Sequence, residues 1–170
     1  MRVATQIILQ LSLLAAVQPV SAQSPIAQLP DGPTSGLSVE RFQYEDEGAI
    51  AAVSFHRSRL RHNGFGSEFG VAVFPQYLQF PSLVTAPDAG VAFNISVPAA
   101  TLLLRGGLGA LLGIGGGLSL FPGAHLGGSA LVHLDQRLAV RADVLKRWYR
   151  IGDETAPFWS MGVGFTVLHE

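Results

Sequence analysis

Trp159-Ser160-Met161-Gly162-Val163-Gly164-Phe165-Thr166-Val167 alternates without a fault. Its odd positions are Trp, Met, Val, Phe and Val; its even positions are Ser, Gly, Gly and Thr. Successive side chains of a strand point to opposite faces, so this stretch presents one apolar face and one small, polar face. The small face is the informative one. A solvent-facing surface would carry Lys and Glu, whereas glycine and small hydroxyls suit a crowded polar interior. The apolar face then looks outward.

The same division recurs upstream. Val91, Phe93, Ile95 and Val97 oppose Ala92, Asn94 and Ser96, and Leu102, Leu104, Leu108 and Leu112 oppose Arg105, Gly107, Gly109 and Gly113. Leu126, Ala130, Val132 and Leu134 oppose His125, Ser129, His133 and Asp135. Leu138, Val140, Ala142, Val144 and Trp148 oppose Arg141, Asp143 and Arg147, with Leu131, Leu145 and Lys146 out of pattern. Phe69, Val71 and Val73 oppose Glu68, Gly70 and Ala72, and Ala51, Val53 and Phe55 oppose Ala52, Ser54 and His56. Leu37–Tyr44 alternates poorly.

Period two therefore predicts strands near 37–44, 49–60, 66–79, 89–98, 101–113, 120–134, 137–150 and 157–168. Eight is an even number, as bacterial membrane barrels have. Turn chemistry falls between them: Glu45-Asp46-Glu47-Gly48, His62-Asn63-Gly64, Pro98-Ala99-Ala100, Gly115-Gly116-Gly117, Asp135-Gln136-Arg137 and Gly152-Asp153-Glu154-Thr155. With the N-terminus in the periplasm, the breaks at 62–64, 98–100 and 135–137 are periplasmic. Those near 45–48, 81–88, 114–119 and 151–156 face outward and are expected to be the longer ones. The expected fold is all-β: an eight-stranded antiparallel up-and-down transmembrane β-barrel over residues 37–170.

Composition agrees. Hydrophobic residues make up 48% of the chain and charged residues only 14%, well below the roughly 25% of ordinary soluble domains. Eleven basic and twelve acidic residues give a net charge of −1. No basic patch stands out, which argues against a nucleic-acid partner. The sequence contains no cysteine, so the fold needs no disulfide.

Residues 1–22 read as a cleaved secretory signal. Arg2 is the positive n-region, Ile7–Val17 the apolar run, and Pro19-Val20-Ser21-Ala22 the small-residue cleavage site. The run is too short to span a membrane comfortably. Residues 23–36, rich in Pro, Gly and Ser, read as a flexible linker.

On this pattern the chain resembles the small outer-membrane β-barrels, the OmpA- and OmpX-like proteins. Its C-terminal strand is the most specific part. Ser160, Gly162, Phe165 and Val167 fit the polar, glycine and spaced hydrophobic places of the signal read by the barrel-assembly machinery. The chain runs on through Leu168-His169-Glu170 instead of ending on an aromatic residue. The resemblance implies an outer-membrane location, lipid and lipopolysaccharide as surroundings, and assembly through residues 157–168. Trp148, Tyr149, Phe158 and Trp159 look like one aromatic girdle at the outer interface.

Candidate chemistry is sparse. The inward charges Glu40, Glu68, Arg105, Arg141, Asp143, Arg147 and Asp135 are expected to form an ion-pair network, because unpaired charge is costly away from water. An eight-stranded interior is just wide enough for side chains to fill, so no conducting pore is expected. His56-Arg57-Ser58 matches the His-x-Ser pair of outer-membrane lipid A deacylases in three residues only. His and Ser share a face about 7 Å apart, and no nearby acid orients the histidine unless Glu68 or Glu40 arrives from a neighbouring strand. His125 and His133 are about 26 Å apart along a strand and cannot share a metal ion. No cofactor motif is present: the glycine run 106–117 lacks the Lys-Ser/Thr ending of a phosphate loop. Its Gly109, Gly113 and Gly117 spacing does support a rival architecture, a glycine-zipper membrane helix near 97–114. Arg105, Pro98 and the poor helix propensity of glycine weigh against that helix. The functional expectation is a structural or interaction barrel without catalytic activity; a lipid A-modifying enzyme is the alternative.

Overall fold

The computed structural model describes residues 32–44, 48–78, 82–97 and 99–169. The proposed signal segment and most of the proposed linker lie outside them. Eight strands follow in order: β1 Gly32–Tyr44, β2 Ala49–Leu60, β3 Phe65–Val73, β4 Leu83–Val97, β5 Ala100–Ile114, β6 Leu118–His133, β7 Leu138–Ile151 and β8 Glu154–Leu168. Each pairs antiparallel with its sequence neighbours, and β8 closes on β1. Closure leaves no sheet edge, so every strand has a partner on both sides. That is the condition for a sheet to stand in hydrocarbon. The strands run from 9 to 16 residues, against the roughly 9–11 a tilted strand needs to cross a bilayer.

Several boundaries differ from the sequence reading. β1 begins at Gly32, so residues 32–36 are paired strand and not linker. Leu37–Tyr44 alternates well in burial although poorly in polarity, because Phe42 points inward and Arg41 outward. β3 ends at Val73 and β4 begins at Leu83. The outer break therefore lies between those residues and carries a short 3-10 turn, Pro75–Tyr77, rather than falling at 81–88. Val97 ends β4 and Ala100–Ile114 is β5, not a helix; among the described residues no helix is long and apolar enough to cross a membrane. Two of the other outer connections are short. β5 and β6 are joined by Gly115–Gly117, and β7 and β8 by Gly152-Asp153. Gly152, at φ 63°, supplies the left-handed backbone that so tight a turn requires.

The molecule is polar inside and apolar outside. Leu108 and Leu118 are 73% and 74% exposed, while Arg105, Arg141 and Arg147 are 1–2% exposed. The interior nonetheless has three floors. At the end bearing the β2–β3 turn, Leu60, Ala92, Leu103, Leu131, Ala139 and Leu168 form an apolar layer. At the opposite end Phe42, Ala52, Ala72, Phe74, Ala86 and Tyr149 form another, with Phe121 and Phe158 against it. The charged residues lie between. Leu131 is out of pattern in the sequence because it belongs to an apolar layer; Leu145 is fully buried beside Gly127. Phe42 and Phe74 stack edge to face, 4.9 Å apart.

Candidate functional site

The middle floor is built from inward positions of all eight strands, with glycine set beside the charges. Gly162 of β8 lies opposite both Glu40 of β1 and Asp143 of β7. Gly164 flanks Arg141, and Gly127 flanks Arg105. The glycines make room. A Cβ on Gly162 would meet Glu40 Cγ at 2.6 Å, and one on Gly164 would meet Ser38 Cβ at 2.7 Å.

Glu68, Arg105, Arg141 and Asp143 form a closed ring of charge. Arg105 Nε lies 2.7 Å from Glu68 Oε2, and its Nη1 lies 2.7 Å from Asp143 Oδ1. Arg141 donates from Nη2 to Glu68 Oε1 at 2.8 Å and from Nε to both oxygens of Asp143 at 2.9 and 3.0 Å. Ser129 adds a short hydroxyl bond to Asp143. Close ion pairs reinforced by charge-assisted hydrogen bonds are what buried charges need to offset desolvation. Arg147 stands apart from this ring. It donates to Asp88 Oδ2 at 2.6 Å and to Ser160 Oγ at 3.1 Å, lies 3.7 Å from Glu40, and stacks over Phe42 at 5.1 Å. Asp88 is not among the inward charges read from the sequence, because 81–88 reads there as an outer break; it lies within β4. Asp135 is not in the lumen. It is exposed in the β6–β7 turn, where Oδ1 accepts from the backbone amides of Arg137 and Leu138.

The His56–Ser58 pair is not a pair. Ser58 exchanges its hydrogen bond with Thr34 at 2.7 Å. His56 Nε2 instead meets Ser38 Oγ at 2.9 Å and lies 3.4 Å from Glu40 Oε1, while its Nδ1 is 3.8 Å from Glu68 Oε1. Both long-range acids do face the histidine, so a hydroxyl, an imidazole and a carboxylate are collected from three strands. Ser38, His56 and Glu68 are 3%, 2% and 7% exposed, and apolar floors lie beyond them toward both ends. A nucleophile there has no substrate to reach. His133 Nε2 bonds Thr101 at 3.0 Å. Among the described residues no three His, Cys, Asp or Glu side chains are grouped to hold a metal.

The aromatic group at the outer end divides. Tyr149 is buried and Phe158 packs on it inside, 5.7 Å between rings. Trp148 and Trp159 face outward on β7 and β8, and Lys146 Nζ lies 5.7 and 5.4 Å from their rings. Two clefts open on the same rim. One of about 330 Å³ is lined by Tyr44, Ile151, Glu154 and Phe158, and one of about 510 Å³ by Gln76, Tyr77, Ser82 and Ser119. Neither includes a residue of the charged floor.

No protein-family model and no curated sequence matches the chain. Solved structures do. Neisserial surface protein A matches with a TM-score of 0.58 at 11% identity, covering 81% of this chain and 96% of that one. The N-terminal β-barrel domain of Pseudomonas aeruginosa OprF gives 0.54 at 10%, with 78% and 96% covered. The outer membrane protein OprG of Pseudomonas aeruginosa gives 0.51 at 9%, with 84% and 98% covered. At such identities the likeness is one of fold, and by fold the chain is a small eight-stranded barrel of the outer-membrane kind.

Proposed function

We propose that the protein is a sealed structural barrel of the outer membrane, without turnover and without a conducting pore. One observation carries this reading: the lumen is filled by paired charges and closed at each end by an apolar layer. In the same reading residues 1–22 are removed on export and strand 157–168 is the segment handled by the barrel-assembly machinery. Lipid and lipopolysaccharide surround the wall. Lys146 between Trp148 and Trp159 supports a headgroup contact at the outer rim, since amphipathic rings and a snorkelling amine favour that depth. Purified protein in planar lipid bilayers should give no stepwise conductance. Sustained single-channel steps would overturn the sealed reading, and recovery in the soluble periplasm would overturn the location.

A hydrolytic reading draws on the Ser38–His56–Glu68 arrangement. It lacks access to lipid and an orienting hydrogen bond, Glu68 being 3.8 Å from the ring. The lipid A acyl pattern of an overexpressing strain should be unchanged. Loss of an acyl chain that Ser38→Ala abolishes would make the barrel an enzyme.

A further inference from the structure

Arginine also lines the outside of the wall. On β2 the outward positions run Ala49, Ala51, Val53, Phe55, Arg57 and Arg59, and Arg61 follows in the adjoining turn. Successive arginines are two residues apart, about 7 Å along the strand. All three are exposed. Their cross-strand neighbours are uncharged: Ser35 and Phe69 beside Arg57, Pro33 and Ser67 beside Arg59. Among the described residues none of the three has an ion-pair or side-chain hydrogen-bond partner, whereas each lumen arginine lies within 2.8 Å of a carboxylate. The surroundings are those of a lipid boundary. Phe55, Phe65 and Phe69 are exposed on the same wall, and Phe65 packs against Phe93 at 5.0 Å. Arg57 is level with Phe69 and above Phe65, so its stem crosses apolar surface before its charge reaches the headgroups.

We propose that Arg57, Arg59 and Arg61 form a ladder that binds the phosphates of anionic phospholipid headgroups at this end of the barrel. The inference rests on the outer-membrane reading, which turns this end to the periplasm and hence to the phospholipid leaflet. Three unpaired guanidiniums at the apolar boundary complement a row of phosphodiesters, and planar donors grip phosphate in pairs. The opposite connections are acidic in sequence, Glu45-Asp46-Glu47 and Asp153-Glu154, so a run of three arginines without acids among its cross-strand neighbours marks this end.

The test uses a tryptophan at the ladder. Phe69→Trp, with Trp148 and Trp159 replaced by Phe, is inserted into phosphatidylcholine vesicles. Quenching is titrated with brominated phosphatidylglycerol and with brominated phosphatidylcholine. Half-quenching should need at least about five-fold less phosphatidylglycerol, the factor expected for one arginine near an anionic surface. With Arg57→Gln, Arg59→Gln and Arg61→Gln combined, the two curves should coincide. Coincident curves for the unsubstituted ladder would overturn the proposal. So would displacement by inorganic phosphate beyond that of sodium chloride at equal ionic strength, which would mark a soluble-anion site. Heat-modifiable gel migration reports insertion independently. An inserted barrel without preference sinks the ladder alone; a chain that never inserts sinks the outer-membrane reading with it.

Discussion

Arg141 and Arg57 occupy opposite faces of the same wall and do opposite things. Arg141 is 1% exposed and makes charge-assisted bonds to Glu68 and Asp143 at 2.8 to 3.0 Å. Arg57 is exposed and has no such partner among the described residues. In the lumen a charge is tolerated because every neighbour was chosen for it: the acids, the serine at 129, and glycines that leave space. On the outer face a charge is tolerated because a long stem can carry it to the interface. The first arrangement is rigid and intolerant of change. The second is open and adaptable.

That contrast can be broken most forcefully at Arg141. Arg141→Met keeps much of the volume and leaves Glu68 and Asp143 short of a partner in a lumen that already holds four carboxylates, Glu40, Glu68, Asp88 and Asp143, against three guanidiniums. Removing one member of a buried ion pair costs about 3–5 kcal/mol. The urea midpoint of the heat-modifiable form should fall accordingly, and an unchanged midpoint would mean the network contributes nothing to folding.

Next come two substitutions on β8 that address the two faces directly. Sequence alone suggests that Phe165→Asp, on the lipid side, should harm more than Gly162→Asp, on the lumen side. The structure reverses the order. A side chain at Gly162 meets Glu40 Cγ at 2.6 Å and Val39 O at 3.2 Å, and its carboxylate would stand between Glu40 and Asp143. Overpacking alone costs about 1–3 kcal/mol, and an unpaired buried charge adds to that. Phe165→Asp is expected to cost about 2 kcal/mol, below the figure for Arg or Lys at mid-depth. Comparing membrane-inserted yields tests this; better survival of Gly162→Asp would show that the lumen can swell.

Much of this was legible in the sequence, and the failures share a cause. Period two separates the two faces wherever each keeps one polarity, as on β8. It fails where the lumen itself changes polarity along its axis. Phe42, Leu60, Leu103 and Leu131 are inward because they close the ends, and in a one-dimensional reading they look like faults. Asp88 was hidden because 81–88 reads as an outer break. Ser38 and His56 come together only through the β1–β2 register, which pairs Ser38 with Ser54 and leaves His56 diagonal to it. No spacing rule on a single strand finds such a contact, and the adjacent His56 and Ser58 suggest the wrong one.

A smaller effect is expected at Ser58. Ser58→Ala removes the partner of the Thr34 hydroxyl, which is 2% exposed. A buried hydroxyl losing its side-chain partner costs about 1 kcal/mol. The change should lower the urea midpoint slightly and leave His56 with Ser38. A much larger loss would place Ser58 in the charge network after all.

The smallest effect returns to Arg57. Arg57→Gln keeps a polar tip and part of the stem, Phe69 opposite is uncharged, and no carboxylate is orphaned. Surface substitutions of this kind lie within about 0.5 kcal/mol. In neutral detergent the urea midpoint should therefore match that of the unsubstituted protein. Detergent is the right medium because it removes the anionic headgroups that the ladder is proposed to hold, leaving only contacts within the chain. A fall as large as that of Arg141→Met would mean that Arg57 holds the wall together from within the protein. The two arginines would then differ in exposure but not in role. Equality with the parent in detergent, together with lost phosphatidylglycerol preference in the combined ladder variant, would separate an arginine that stabilises the fold from one that binds its surroundings.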